Sequence, residues 1–282
     1  MHSIPGSILG QKRIPKALVI FSIVTCFALA GCGGDSASTS EGDEAGQVAE
    51  ASATQPIPIE RAIYDHPSRS QEDKDQDAGR MALDIYEWLG VQPGMTVADV
   101  YPAGGYNTHL LSLVVGDSGK VHSVFEFYAE KELSEGRVYR VPQVEERIEQ
   151  AGIANVDLTL ILDDVPSESI DVAIAVRNYH DVEWIFQGYS RTETVANFFR
   201  MMKPGGLVGI VEAATDREGW DQETHRLNEA VVIEDFTSAG FELVESSDML
   251  RNPADDHSTS GFEEGRHTVD RYLLKFRKPA EA

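Results

Sequence analysis

The chain has 282 residues, with 47 acidic against 24 basic side chains and a net charge of −23. An acidic excess of that size excludes broad binding to nucleic acid or to anionic headgroups, since both need a basic footprint. Apolar residues make up 41% of the chain, enough for a folded core, and two cysteines alone exclude a disulfide framework or a four-cysteine zinc site.

In chain order, Lys12, Arg13 and Lys16 precede an uncharged, mostly apolar run from Ala17 to Ala30. The run suits a secretory h-region and is short for a bilayer span of roughly 20 residues. It closes on Leu29-Ala30-Gly31-Cys32, which resembles the lipobox of bacterial lipoproteins. That resemblance implies a signal peptide over residues 1–31 and a diacylglycerol thioether on Cys32. The protein would then be anchored to the cell envelope by lipid alone, at the outer membrane and facing the periplasm in a Gram-negative source. An ordinary signal peptide or an uncleaved anchor is the other reading of the same run. Residues 33–54 are Gly, Ser, Ala, Thr and acid, too poor in apolar surface to offset the entropy of ordering. We read 32–60 as the lipidated cysteine and a flexible acidic linker, and 61–282 as one folded domain.

Within that domain Met81, Ile85, Trp88 and Leu89 recur at helical spacing, with Gly90 as a cap. Met95–Val100 reads as a strand after the Pro93-Gly94 turn, and Gly104-Gly105 opens a helix that Gly116 closes. Further strands are expected at Val121–Phe127, Val156–Leu162, Val172–Val176 and Leu207–Val211, with helices at Val144–Gln150 and Thr192–Met202. A helix at Ala230–Ala239 and two strands, Phe241–Val244 and Tyr272–Phe276, end the chain. Alternating strands and helices predict an α/β fold, a doubly wound and mostly parallel sheet with an antiparallel pair at one edge.

In such a sheet a ligand sits beyond the carboxyl ends of the strands. The first of these ends is Asp99-Val100-Tyr101-Pro102-Ala103-Gly104-Gly105, whose adjacent glycines allow close backbone approach at a helix start. The order of elements resembles the class I S-adenosylmethionine-dependent methyltransferases: acid, glycines, helix, a second strand ending in acid, then Met202-Lys203-Pro204-Gly205-Gly206 before strand five. Two segments, Val176-Arg177-Asn178-Tyr179-His180-Asp181 and Leu250-Arg251-Asn252-Pro253-Ala254-Asp255-Asp256-His257, are similar to a bacterial group of predicted methyltransferases. The resemblance covers nearly all of the folded part. It implies a Rossmann-like seven-stranded sheet, S-adenosyl-L-methionine as cofactor and methyl transfer to a small-molecule acceptor. It places Asp99, Gly104 and Gly105 at the cofactor's amino acid end, Glu126 at the ribose, and Asp163 or Asp164 at the adenine. Tyr101 and Ala103 stand where the family has glycine. A non-catalytic lipoprotein that keeps the fold as a binding or scaffolding module is therefore the alternative.

His180 and Asp181, with Asn178 beside them, follow the fourth strand, where a His–Asp pair can take a proton from an acceptor hydroxyl or amine. The same aspartate would also serve as a helix cap. Asp255, Asp256 and His257 form an acidic cluster that would complete the acceptor pocket with His180 or order its own loop through hydrogen bonds. With His225 it would ligate a metal, and His180, His225 and Asp256 together would make a metal-dependent hydrolase. The spacing matches no motif such as His-Glu-x-x-His, so no metal is assigned. The charged run from Arg69 to Asp77 reads as a solvated helix start or a lid, and Trp184 and Trp220 as packing residues. There is no Gly-x-Ser-x-Gly turn and no phosphate loop. No pattern in the chain specifies an oligomeric state.

Overall fold

Helix α1 (Gln71–Arg80) begins where the Ser70 side chain accepts from the Asp73 N–H at 3.1 Å, with Glu72 and Asp73 in the first turn. Met81, with φ of 53°, ends it and starts α2 (Ala82–Trp88), so the periodic run is a second helix rather than the first. The charged run is not solvated as expected: Arg69, Asp73 and Asp77 are buried. The computed structural model describes residues 58–126, 140–182, 189–260 and 267–280, all within the unit Ala53–Ala282. Cys32 and the rest of 1–57 lie outside the described residues, as do Phe127 and Trp184.

The apolar runs become β1 (Thr96–Val100), β2 (Lys120–Val124), β3 (Val156–Thr159), β4 (Ile170–Val176) and β5 (Met202–Ala213). Between them lie α3 (Tyr106–Val115), α4 (Arg140–Ala151) and α5 (Arg191–Met201). A short hairpin, β6 (Trp220–Asp221) and β7 (Arg226–Leu227), precedes α6 (Glu229–Ser238), β8 (Glu242–Ser247) and β9 (Arg271–Arg277). The sheet has seven strands in the order β3-β2-β1-β4-β5-β9-β8. The first five are parallel, and β9 is antiparallel to both β5 and β8. This is the expected α/β sheet, covered on both faces. One core layer joins it to α5 and α6 through Phe198, Met201 and Phe236, the other to α2 and α3 through Leu83, Tyr86, Leu110 and Val114.

Two strands stop earlier than their apolar runs. Strand β2 ends at Val124 because Glu126 adopts φ of 46° and turns the chain out of the sheet. Strand β3 ends at Thr159, and Leu162–Asp164 form a 3-10 turn instead. The chain runs outward from β1 to β3, then returns to β4 on the other side of β1. This reversal opens a crevice at the carboxyl ends of β1 and β4. Among the described residues no helix is long and apolar enough to cross a membrane.

Candidate functional site

Strand β1 alternates faces, with Val97 on the α2–α3 side and Ala98 and Val100 on the α5–α6 side. Asp99 therefore meets α3. Its Oδ2 accepts from the Thr108 hydroxyl at 2.7 Å, the Thr108 N–H also reaches it, and that hydroxyl lies 2.9 Å from Ser123 Oγ on β2. Asp99 is 1% exposed, and burial pushes its carboxyl up to about 6 against the lowering effect of the Thr108 bonds and of Arg80. A carboxylate held from water in this way gains from any cationic group brought beside it.

The turn that follows keeps a glycine-like backbone without the glycines. Tyr101 has φ of 63° and Ala103 of 49°, a left-handed conformation that costs an L-residue about 1–2 kcal/mol. It sends the Tyr101 ring against the strand alternation, onto the α5–α6 face. There the residue is 1% exposed, with its hydroxyl beside Thr194. The Tyr101 carbonyl accepts from Asn178 Nδ2 at 2.8 Å, and the same nitrogen reaches the Val176 carbonyl at 3.1 Å. Asn178, expected among the catalytic groups, thus fastens the end of β4 to the loop after β1.

The adjacent glycines divide their work. A Cβ on Gly104 would meet nothing within 4 Å, so this position is open to a ligand. A Cβ on Gly105, with φ of 80°, would strike Val144 and Arg147 at 3.0–3.3 Å, because α4 lies against it. Gly105 serves packing. Glu126 is half-buried, and its carboxylate accepts from the Leu162 N–H, tying β2 to the turn after β3. Asp163 and Asp164 stand exposed in that turn.

Helix α1 is built into the wall beside this loop. The Arg69 guanidinium donates twice to Asp77, at 2.7 and 2.6 Å, and the Tyr106 hydroxyl donates to Asp77 at 2.6 Å. Arg147 pairs with Asp73, and Arg80 covers the Tyr106 ring at 4.3 Å. The run therefore clamps α1 to α3 and α4 as structure.

At the ends of β4 and β5 a second cluster forms. Residues Tyr179–Asp181 make a 3-10 turn over Glu212, a fully buried carboxylate near the end of β5. Glu212 Oε1 accepts from the Tyr179 N–H at 2.8 Å and the His180 N–H at 3.3 Å, and Oε2 lies 2.6 Å from His180 Nδ1. On the other side of the ring, His180 Nε2 is 3.3 Å from Asp181 Oδ1. The same oxygen is 3.6 Å from Nε2 of His225, which stands at φ of 56° in the turn between β6 and β7. Trp220 stacks on His180 with centroids 5.0 Å apart, and His225 meets both rings edge-on at 4.6 Å.

The electrostatics follow from this packing. Burial lowers the proton affinity of His180, but the Glu212 charge and the bonds to Asp181 and Glu212 outweigh it and push the imidazole up to about 9. Burial raises Asp181, yet its bonds to His180 and His225 bring it down to about 2. His180 and Asp181 are paired as expected, but at neutral pH they form an imidazolium–carboxylate pair that donates and orients rather than accepts a proton.

The acidic loop orders itself. Asp255 accepts from Arg226 Nη2 at 3.2 and 2.9 Å, from the Asp270 N–H at 2.6 Å and from the His257 N–H at 3.1 Å. Asp256 is exposed and caps Ser258, while His257 pairs with Asp216 at 3.3 Å and Asp270 at 3.2 Å. Among the described residues Asp256 bonds within its own loop and His257 to Asp216 and Asp270, rather than to His180. Of the trio His180, His225 and Asp256, the structure unites the two histidines but supplies Asp181 as the carboxylate. Sequence reasoning missed Glu212 and Arg226. The signal for Glu212 was a lone acid in a buried strand run; Arg226 anchors the strand that presents His225.

No protein-family model matches the chain, and no curated protein sequence matches it. Solved structures do. A SAM-dependent methyltransferase from Aquifex aeolicus is 17% identical with a TM-score of 0.53, over 74% of this chain and 95% of that one. The cyclase SpnF is 17% identical with a TM-score of 0.54, over 75% and 85%. The 1,6-didemethyltoxoflavin-N1-methyltransferase of Burkholderia thailandensis, a complex with S-adenosylhomocysteine, is 16% identical with a TM-score of 0.50, over 74% and 81%. At these identities the likeness establishes the fold. The presence of a cyclase among the neighbours shows that the fold alone does not choose the reaction.

Proposed function

We propose that the chain is a class I S-adenosylmethionine-dependent methyltransferase acting on a small-molecule acceptor and held at the cell envelope by lipid on Cys32. The observation that carries this reading is the buried Asp99 carboxylate in the same strand-to-helix loop as the open Gly104, where the strand order reverses. The residues fit the cofactor's chemistry: an acid for a cationic amino acid end, an uncovered glycine for main-chain approach, and the Glu126 and Asp163 carboxylates toward the β2 and β3 edge. When bound, S-adenosylmethionine supplies a methyl group activated by its sulfonium. The chain's own task is positioning, with Asp99 and Gly104 on one side and the donor pair His180–Asp181 orienting the acceptor on the other.

Calorimetric titration of the full chain with S-adenosylmethionine and S-adenosylhomocysteine tests the reading. Binding tighter than about 1 mM, the upper end of ordinary KM values, is expected. No heat from either compound at that concentration rejects it. The anchor is tested separately: Cys32→Ser should remove the lipid mass and release the protein from membranes.

Two observations favour a second reading, a binding module that keeps the fold without the chemistry. The Tyr101 ring is packed at the carboxyl end of β1, and the Glu126 carboxylate is engaged by Leu162. If the ring plugs the site, Tyr101→Gly or Tyr101→Ala should create cofactor binding where the parent has none. An enzyme binds before the change.

A further inference from the structure

We propose that His180 Nε2, Asp181 Oδ1 and His225 Nε2 form a site for a divalent transition-metal ion of the zinc or ferrous class. The proposal rests on the geometry at the ends of β4 and β5 and stands whether or not the methyl-transfer reading does.

Three donor atoms from two separate segments converge, all within 4.8 Å of one another. Asp181 Oδ1 is 3.3 Å from one nitrogen and 3.6 Å from the other. Donors at bond lengths of about 2.0–2.2 Å around one tetrahedral ion are separated by roughly 3.3–3.6 Å, which both separations from Asp181 match. Two imidazoles and one carboxylate suit zinc or ferrous iron, and disfavour magnesium and calcium, which prefer all-oxygen shells.

The support behind the donors is built as metal sites build it. His180 Nδ1 is held by the Glu212 carboxylate at 2.6 Å, which aims Nε2 at the common point. Glu212 is itself fixed by the Tyr179 and His180 N–H groups. Trp220 lies flat on His180 and edge-on to His225, so both rings are locked in rotation. His225 keeps a left-handed backbone at φ of 56°, a conformation that persists where surroundings over-determine it. Arg226 beside it, clamped by Asp255, is that constraint.

Three protein donors leave one position vacant, as in catalytic rather than structural zinc sites. His225 is 20% exposed on its side chain, so the cluster reaches solvent at this residue. An acceptor hydroxyl or thiol coordinated there would bind as the anion, its proton going to solvent.

The test uses the full chain, stripped with chelator and titrated without cofactor. Titrants are Zn2+, Fe2+ under argon, and Co2+ as a visible probe, with Mg2+ as the control. We expect about one equivalent of Zn2+ or Fe2+ and a cobalt ligand-field band, with no competition from Mg2+. His225→Gln, at the rim, should weaken binding at least tenfold with the fold intact by circular dichroism. Glu212→Gln should weaken it about 10–100-fold through the lost orientation of His180. Asp256→Asn and His257→Gln should leave it unchanged. Uptake below about a tenth of an equivalent overturns the proposal, since a site with these donors fills well below millimolar metal. So does a His225→Gln protein that binds as tightly as the parent, or an Asp256→Asn protein that loses as much. Failure to bind S-adenosylmethionine leaves these readouts untouched, so the two readings fail separately.

Discussion

The ends of β1 and β2 and the ends of β4 and β5 lie along the same edge of one sheet, yet they handle buried charge in opposite ways. At β1 a single carboxylate, Asp99, has the side chain and N–H of Thr108 as its close partners among the described residues, and burial raises its proton affinity. At β4 and β5 two carboxylates surround an imidazole, and each charge has a counter-charge within hydrogen-bond distance. The first arrangement is destabilising until a cation arrives, whereas in the second both carboxylates already share the imidazolium as a counter-charge. One edge therefore carries a receptive group and a self-consistent network side by side.

Removing one member from each region should give opposite results. Glu212→Ala has the largest expected effect. It leaves His180 Nδ1 and the Tyr179 and His180 N–H groups without their buried acceptor, a loss of about 3–5 kcal/mol read as a lower urea midpoint. Asp99→Asn should do the reverse at alkaline pH. The folded value of about 6 lies above the ordinary 3.8, so the native state holds a proton that the unfolded chain releases between those values. Stability from this group is full below pH 3.8 and is lost as pH rises through 6, a cost of ~3 kcal/mol at pH 8. The asparagine variant should recover much of it at pH 8 and show no advantage near pH 3, by denaturant titration at each pH. On the proposed methyl-transfer reading, its affinity for S-adenosylmethionine should fall at least tenfold in the same preparation.

Smaller changes sharpen the contrast. Tyr101→Phe removes a buried hydroxyl beside Thr194 and should change stability by no more than about 1 kcal/mol in a denaturant titration. Asp256→Ala, on an exposed turn where the side chain bonds only Ser258 among the described residues, should leave the melting temperature unchanged in a thermal scan. A drop there as large as that of Glu212→Ala would mean the acidic loop belongs to the network after all.

Much of the first region could be read from residue order. Short apolar runs placed β1 and β4, and Asp99 with Gly104 marked the loop, because a strand end and a glycine turn are set by neighbours in the chain. The glycine positions filled by Tyr101 and Ala103 were also visible, though not that both residues would still adopt the left-handed backbone. Asn178, Asp256 and His257 looked chemical by type and turned out to hold loops. Sequence cannot tell whether a polar side chain faces a cleft or a neighbouring carbonyl.

The sequence by itself determined the alternation of strands and helices, hence the doubly wound sheet and the glycine turn after its first strand, since these follow from local periodicity and turn chemistry. Only the tertiary structure decided which carboxylate joins His180 and His225. A two-strand hairpin carries His225 back over the turn after β4, and the buried Glu212 sets the direction of the His180 ring. Contacts between segments far apart in the chain depend on how the layers pack. That packing chose Asp181 over Asp256.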